Sequence, residues 1–157
     1  MKKTGAAAET KILARNRKAR HEYSIDETVE AGVVLAGSEV KSIRDGKVTL
    51  VDAFADISNG EAWLHQMDVG VYVFAHARNH EPRRRRKLLL HRREIDYLRG
   101  KMEQKGLALI PLSLYFQHGY AKVELGLGKG KKLYDKREDI AKRDANREVE
   151  RALSGRE

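Results

Sequence analysis

Residues Gly126–Asp139 read GLGKGKKLYDKRED, and within this stretch an alternating apolar strand gives way to a basic tail. Just upstream, Tyr120–Leu127 alternates apolar and charged positions, as expected of a strand buried on one face. After Gly128, few large apolar residues remain, and the glycines add backbone freedom without packing surface. The sequence therefore predicts a folded body over residues 11–128 and a separate tail over residues 129–157.

The tail carries ten Lys or Arg residues against seven Asp or Glu residues. Glu138 and Lys142 are four residues apart, as are Asp139 and Arg143, and this spacing supports a solvated helix. An isolated helix of this length is only marginally stable in water. We therefore expect a basic tail that is disordered when free and becomes helical in a charged groove, rather than an ordinary frayed terminus.

Composition bounds the class of partner. The net charge is +9 and the sequence pI is about 9.8, and the body alone keeps +6, so nucleic acid is the expected polyanion. No apolar run approaches the ~18 to 20 residues that span a bilayer, and no strongly amphipathic basic helix suggests a membrane surface. Residues 1–10 are expected to be a flexible arm without an apolar signal segment. Since the chain has no cysteine, we expect no disulfides or thiolate zinc sites, which fits a cytoplasmic protein. We also expect a monomer.

The body consists mostly of short strand candidates separated by turn signals. These candidates are residues 12–25, 30–37, 48–57, 61–69, 71–75, 107–117 and 120–127. Asn59–Gly60 and His118–Gly119 are expected to form two-residue hairpin turns, since such pairs accept positive φ. The fold class is therefore mainly β with α: a small antiparallel barrel, closed or nearly so, rather than a sandwich.

Helices are expected to flank this barrel. Ser38 is a suitable N-cap for a short helix that Gly46 ends. A second helix follows five consecutive cations, Arg83–Lys87, and carries an apolar stripe before it ends at Gly106. Together with the tail this gives about two to three flanking helices.

No constellation of catalytic residues stands out. His76 and His80 are four residues apart, but in a predicted strand and loop rather than on a helix. Asp52 and Asp56 would lie on one strand face roughly 13 Å apart, too far for a shared metal or an acid and base pair. We therefore predict a non-enzyme without metal or cofactor.

The first candidate phosphate surface lies near the start of the chain. The segment ILARNRKARHEYSI packs Arg15, Arg17, Lys18 and Arg20 around Asn16 and predicts a strand with one basic face. An edge strand that uses charge against aggregation explains the same pattern equally well.

Several longer motifs resemble one family, the small protein B family of SsrA-binding proteins. The motifs are ARNRKARHEY, VEAGVVLAGSEVKSIRDGKV, RKLLLHRREID, LIPLSLYF and AKVELGLGKGKKLYDKRED. Proteins of this family work with transfer-messenger RNA to rescue stalled bacterial ribosomes. The resemblance covers almost the whole chain and implies an oligonucleotide-binding-type β-barrel with flanking helices and a tail that becomes helical in the ribosome.

The resemblance also implies an RNA surface, made of Asn16, Arg17, Lys18, Arg20, Glu30, Leu89, His91 and Lys122. Glu30 can accept hydrogen bonds from bases or 2′-hydroxyls, or orient a neighbouring arginine. His91 beside Leu89 suits unpaired loop bases, unless Leu89 belongs to the core.

In the tail, the resemblance implies contacts with the small-subunit decoding centre and the mRNA channel. The residues concerned are Lys129, Gly130, Lys131, Lys132, Tyr134, Asp135, Lys136 and Arg137. Gly130 corresponds to a hinge, Lys131 and Lys132 to backbone contacts, and Tyr134 to a stacking aromatic. Tyr134 stands where some relatives carry His. The tyrosine can still stack on a base, but it provides no titrating imidazole at this position. Ser38 replaces a Trp of some relatives, and the helix start then lacks an aromatic contact.

The function hypothesis is thus a non-catalytic adaptor that binds the tRNA-like part of transfer-messenger RNA and reaches the ribosome with its tail. The alternative is a generic ribosomal or single-strand-binding protein. A nuclease that uses His76, His80 or Asp52 is a third hypothesis.

Overall fold

Nine strands and four helices form in the part of the chain that the computed structural model describes, residues 11–75, 78–131 and 133–154. The strands are β1 Lys11–Arg15, β2 Tyr23–Val33, β3 Val48–Thr49, β4 Phe54–Ser58, β5 Glu61–His65, β6 Asp68–Val69, β7 Arg86–Leu89, β8 Ala108–Gln117 and β9 Tyr120–Gly130. The helices are α1 Ala19–Glu22, α2 Gly37–Arg44, α3 Arg92–Lys105 and α4 Leu133–Ser154.

Six of the strands close into a ring. Its order is β8, β4, β5, β7, β2 and β9, and β9 pairs again with β8. All of these pairings are antiparallel. Strand β1 pairs with the C-terminal half of β8, while β3 and β6 form a separate two-stranded sheet. The predicted antiparallel barrel with flanking helices is confirmed.

The barrel interior is filled by the apolar face that the alternation in β9 predicts. Val123, Leu125 and Leu127 are buried and pack with residues of the neighbouring strands, among them Leu64 and Leu88. Helix α3 covers part of this core with Leu98. The body can thus be held together by burial of apolar surface, which is the dominant favourable contribution to folding.

Both predicted hairpin turns are present. Asn59 and Gly60 have φ of 53° and 75°, and His118 and Gly119 have φ of 53° and 81°. Positive φ at both central residues matches the right-handed twist of the flanking strands. Helix α3 also ends as expected, because Gly106 follows it in the left-handed region with φ of 63°.

Helix α2 begins earlier than predicted, so Ser38 is not its N-cap. The N-cap is Ala36, whose backbone N–H donates to Glu39 Oε1 at 2.8 Å. Ser38 lies in the first turn, and its hydroxyl bonds to His80 Nδ1 at 2.8 Å. A buried carboxylate inside the helix thus takes over the capping that we assigned to a serine.

The prediction of a strand over residues 71–75 is wrong. This segment is a turn-containing loop, in which the side chain of Asn79 bonds to both the N–H and the carbonyl of Tyr72. Strand β7 takes a place in the sheet between β5 and β2 instead. The sequence pattern did not predict this strand, because it begins inside the cationic run. The two longer candidates before the loop are each divided, residues 48–57 into β3 and β4 and residues 61–69 into β5 and β6.

The basic segment near the start is not a continuous strand, since helix α1 separates β1 from β2. Strand β9, in turn, runs to Gly130, three residues beyond its predicted end. A Cβ atom on Gly128 would lie 2.3 Å from the carbonyl oxygen of Ser24 in β2. This glycine therefore allows two backbones to approach closely. From the sequence, only backbone freedom was predicted for it.

The tail contains helix α4, in agreement with its predicted helical tendency. Its described side chains, which include Ile140 and Val149, are exposed. Disorder of the free tail stays a prediction, and the predicted N-terminal arm, residues 1–10, lies outside the described residues. Among the helices that the described part of the chain forms, none is both long and apolar enough to cross a membrane.

Candidate nucleic-acid interface

Four of the predicted RNA-binding residues line one open cavity on the barrel surface. The cavity has a volume of ≈ 470 Å³ and is lined by Glu30, Gly32, Leu89, Leu90, His91, Glu94 and Lys122. Strand register explains the grouping, because Gly32 in β2 pairs with Leu89 in β7 on one side and with Lys122 in β9 on the other. Since Gly32 has no side chain, the Leu89 side chain can lie directly against it, and a Cβ at this position would come within 3.3 Å of Leu89 Cβ.

Glu30 is held by one donor from the adjacent strand β9 and one from β8, the strand beyond it. Lys122 Nζ donates to Glu30 Oε1 at 3.1 Å, and the Tyr115 hydroxyl donates to Glu30 Oε2. The carboxylate therefore orients a lysine and a tyrosine, not the arginine that was one of its predicted partners. Side chains fixed in this way are suited to specific polar recognition.

The protonation of this group is also defined. Partial burial tends to raise the pKa of Glu30, but hydrogen bonds from Tyr115 and Lys122 and the charge of Lys122 outweigh it and lower that pKa. Burial, together with the hydrogen bond to Glu30, raises the pKa of Tyr115 above its usual range. At neutral pH the cavity therefore presents an ionised carboxylate, which accepts a hydrogen bond from the neutral phenol of Tyr115.

Leu89 belongs to the surface and not to the core, since 55% of its area is exposed. In a cavity with a carboxylate and a lysine, an exposed leucine offers an apolar contact for the face or edge of a base. His91 lies two residues after Leu89 and immediately precedes the first residue of α3. Its backbone N–H donates to Glu94 Oε1 at 2.9 Å, which fixes the helix start while the imidazole remains exposed.

Asn16 lies apart from this cavity and is buried, with 8% exposure. Its side-chain amide donates to the carbonyls of Leu50 and Pro111, at 3.3 and 3.1 Å, and so ties the end of β1 to two other segments. These contacts give Asn16 a structural role. An RNA contact at this position stays a prediction.

The cations around Asn16 are exposed but form a different surface. Arg17 and Arg20 line a cleft of ≈ 330 Å³ together with His21, Lys142 and Arg143, while Lys18 lies exposed just before α1. Arg143 of α4 donates to His21 Nδ1 at 3.3 Å. The basic residues of α1 thus adjoin the tail helix, and none of them lines the Glu30 cavity.

The start of the predicted tail is attached to the body. Lys129 is exposed in β9, and Gly130 pairs with Tyr23 of β2. Lys131 donates from its backbone N–H to the Glu22 carbonyl at 2.8 Å and from Nζ to the Arg20 carbonyl at 3.0 Å. The chain therefore leaves the barrel after Lys131.

The remaining predicted tail residues can be placed only in part. Lys132 lies outside the described residues. Tyr134, Asp135 and Lys136 belong to the first turns of α4, but their side chains are not among those described. Arg137 is exposed on the same helix. Their predicted contacts with the ribosome are not tested by this arrangement.

The cations of the most basic run of the sequence are paired with other groups of the body, although only one of them is buried. Arg86 is fully buried and bonds to Glu39 and to backbone carbonyls. The four neighbouring cations contact Asp68, Glu39, the Trp63 ring and Glu61 respectively. This run therefore neutralises and packs against the protein itself, although charge alone would suggest a phosphate surface.

Sequence reasoning did not identify Tyr115 as part of the site. A signal was present, because a two-residue turn at His118–Gly119 places Tyr115 directly opposite Lys122 in the hairpin. The candidate catalytic residues, in contrast, have other partners where they are described. His80 bonds to Ser38 and to the carbonyls of Val69 and Gly70, and Asp52 contacts Arg83. His76 lies outside the described residues, and those described contain no cluster of three potential metal ligands.

Comparison with known proteins gives consistent matches over most of the chain. The family model for SmpB protein matches residues 13–155. The SsrA-binding protein of Carboxydothermus hydrogenoformans is 60% identical over 146 residues, which cover 93% of this chain and 98% of the relative. That of Desulforudis audaxviator is 62% identical over 146 residues, which cover 93% and 95%.

One solved structure extends the likeness to the fold. It is described as "tmRNA-SmpB: a journey to the center of the bacterial ribosome", and its matching chain is 52% identical to this one. The match has a TM-score of 0.64 and covers 76% of this chain and 84% of that chain. The motifs, the closed barrel and these matches agree, and the chain belongs to the SmpB protein family.

Proposed function

We propose that this chain is an RNA-binding adaptor that binds the tRNA-like part of transfer-messenger RNA and delivers it to stalled ribosomes. It acts in the cytoplasm and has no catalytic activity of its own. The names of the relatives, which are SsrA-binding proteins, support the choice of RNA. The observation that carries the proposal is the cavity where Glu30, Leu89, His91 and Lys122 meet.

The chemistry of this cavity favours specific recognition over general attraction to phosphate. A surface that bound only phosphates would gain from cations alone, whereas here an ionised carboxylate shares the centre with Lys122. A carboxylate accepts hydrogen bonds from base amino groups and 2′-hydroxyls, and the exposed Leu89 contacts apolar base surface. The cavity therefore fits a folded RNA in which a few bases are unpaired and held at fixed positions.

The tail serves a second role in this proposal. The body, which extends through Lys131, holds the RNA, while the tail helix beyond it enters the decoding centre and the mRNA channel. The described side chains of α4 are exposed and contribute little to the core, which supports a segment whose partner lies elsewhere. A long helix with exposed Lys and Arg side chains can fold on arrival among ribosomal phosphates, so the free tail need not be ordered.

RNA affinity tests the first role. We expect the protein to bind a tRNA-like folded RNA far better than a single strand of equal length, with affinity that falls steeply as salt increases. Glu30→Gln should weaken binding of the folded RNA about tenfold or more, although it raises the net positive charge. The reason is that the loss of a specific contact between Glu30 and the RNA outweighs the added attraction to phosphates, which salt screens.

The control is Glu61→Gln, which removes the same charge from a similarly exposed cross-strand pair, Glu61 with Lys87, outside the cavity. It should leave the affinity unchanged within about twofold. Equal affinity for folded and single-stranded RNA would favour a generic single-strand-binding protein. Stronger binding of folded RNA by Glu30→Gln would show that Glu30 is not a contact.

A further inference from the structure

A second surface with the chemistry of a nucleic-acid site lies on the loop that follows β6. Phe74 is 73% exposed there, and its ring meets the ring of Tyr72 edge to face, with centroids 5.5 Å apart. Lys41 Nζ lies 5.6 Å from the centre of the Tyr72 ring. Phe74 thus offers an exposed ring to a ligand, beside a second aromatic ring and a cation.

The aromatic pair borders a cavity of ≈ 490 Å³ between the loop and the start of α2. Its lining residues are Ala36, Gly37, Ser38, Lys41, Tyr72, Phe74, Ala75 and Arg78. The charged residues in this lining are the cations Lys41 and Arg78, and none of the described lining residues is a carboxylate. No lining residue is shared with the Glu30 cavity.

The loop is held in place rather than left to adapt. Asn79 fixes the backbone of Tyr72 with hydrogen bonds of 2.9 and 2.7 Å. His80 donates from Nε2 to the carbonyl of Val69 at 2.9 Å, which leaves Nδ1 to accept the hydroxyl proton of Ser38 at 2.8 Å. The loop and α2 are thereby joined, and the aromatic rings are presented with little ordering left to occur on binding.

From this geometry we propose that the Tyr72 and Phe74 surface binds an unpaired nucleotide of RNA. The base stacks on the exposed Phe74 ring, and its phosphates lie against Lys41 and Arg78. Stacking on an aromatic ring beside cations is the usual mode of binding to single-stranded nucleic acid, and it tolerates any base. An apolar peptide would use the rings but would leave both cations unpaired, so RNA fits the whole surface better.

This inference goes beyond the proposed function, because it adds a second RNA contact on another face. It also predicts a weak affinity for single strands in a protein whose main cavity selects folded RNA. The adaptor could then hold a structured RNA with one face and an unpaired segment, of the same or another RNA, with the other.

The test uses the full chain and a fluorescein-labelled oligouridine of eight nucleotides, titrated by fluorescence anisotropy at low salt. Phe74→Ala should weaken binding about tenfold, which is the usual effect of losing one stacked base. Phe74→Trp should retain the affinity, because it keeps the stacking surface. Lys41→Ala should also weaken binding, and it should make the affinity less dependent on salt concentration.

Tyr120→Ala is the matched control, since Tyr120 is 72% exposed but lies at the hairpin between β8 and β9, away from this surface. It should change the affinity less than twofold. Unchanged oligouridine binding by Phe74→Ala would overturn the inference, and so would equal losses in Phe74→Ala and Tyr120→Ala. Glu30→Gln should leave oligouridine binding intact, so failure of this inference and failure of the proposed function are distinguishable.

Discussion

At the scale of single residues, the most unusual feature of the body is a buried ion pair. Glu39 and Arg86 are both fully buried, and Arg86 Nε donates to Glu39 Oε2 at 2.7 Å. Arg84 Nη2 donates to the other carboxylate oxygen at 2.6 Å. The remaining donors of Arg86 bond to the carbonyls of Met67, Arg84 and Pro82. This network joins α2 to the segment that leads into β7.

Removal of one partner should be strongly destabilising. Glu39→Ala leaves Arg86 charged and buried without its carboxylate, so we expect a loss of roughly 3 to 5 kcal/mol in the free energy of unfolding. Glu61→Ala breaks an exposed pair with Lys87 and should cost at most about 1 kcal/mol. Urea unfolding of both variants measures the difference. Similar small losses in the two variants would show that the buried network contributes little to stability.

The same carboxylate makes stability depend on pH. Burial tends to raise the pKa of Glu39, but hydrogen bonds from Arg84, the Ala36 N–H and Arg86, with the charge of Arg86, lower it overall. In the unfolded chain a glutamate takes up its proton near pH 4.3. The unfolded state therefore binds the proton first as pH falls, and the stabilising contribution is present above that pH and lost below it.

We expect the free energy of unfolding to decrease as the pH is lowered through about 4.3. Glu39→Gln should flatten this decrease, since one group with a lowered folded-state pKa is removed. Glu30 contributes in the same direction and should leave part of the slope. The measurement is urea unfolding between pH 3 and pH 7. Parallel curves for the two proteins would contradict the role of Glu39.

Single-residue roles were the hardest part of the molecule to predict from sequence. Arg86 belongs to a run of five cations, and nothing local distinguishes it from its solvated neighbours. Its burial depends on Glu39, 47 residues away in the chain, so tertiary contact decides it. Asn16 is similar, because its partners Leu50 and Pro111 are distant in sequence.

At the scale of secondary-structure elements, β2 and β9 approach each other closely near the end of the barrel from which the tail leaves. A Cβ on Gly128 would come within 2.9 Å of the Ser24 carbonyl carbon and 3.0 Å of Ile25 Cα, which are backbone atoms that cannot move alone. The strand pair must therefore shift to accept any side chain at this position.

Gly128→Ala should destabilise the body by about 1 to 3 kcal/mol, the usual cost of overpacking a close contact. Gly100→Ala is a suitable control, because Gly100 lies within α3 and a Cβ there meets no atom within 4 Å. Alanine is the better helix former, so this control should gain up to about 1 kcal/mol. Thermal unfolding compares the two, and equal stability of both variants would contradict the close approach.

Elements with strong local signals were predictable, and those without were not. The two hairpin turns and α3 followed from Asn-Gly, His-Gly and the apolar stripe before Gly106. The loop over residues 71–75 resembled a strand because its residues are mostly β-branched or aromatic, yet side-chain hydrogen bonds from Asn79 hold it as a turn. For the site, the motifs predicted which residues are involved. The strand register that brings Gly32 between Leu89 and Lys122 was not predictable from the motifs, because it is set by the folded barrel.

The tail helix gives a prediction at the same scale. Replacement of Asp135, Lys136 and Arg137 by alanine raises helix propensity, so loss of helicity cannot explain a defect. We expect this triple variant to bind the folded RNA normally and to lose most peptide tagging on stalled ribosomes. The affinity for folded RNA serves as the internal control. Normal tagging would show that these three residues make no contact needed in the decoding centre.

At the scale of the whole molecule, the proposed function assigns RNA recognition to the body and action in the ribosome to the tail. The body has a closed barrel, a buried core and a fixed cavity, which suit rigid recognition. The tail helix exposes its described side chains and leaves the barrel after Lys131. The two roles should therefore be separable by ending the chain at Lys131, which keeps every paired residue of β9.

Peptide tagging on ribosomes stalled at the end of an mRNA without a stop codon tests this division most directly. It is measured in a reconstituted translation system with the full chain or the chain ended at Lys131, each at saturating transfer-messenger RNA. We predict that the shortened chain unfolds at nearly the same temperature, binds the RNA with nearly the same affinity and supports no tagging. Full tagging by the shortened chain, with its RNA binding intact, would contradict the account.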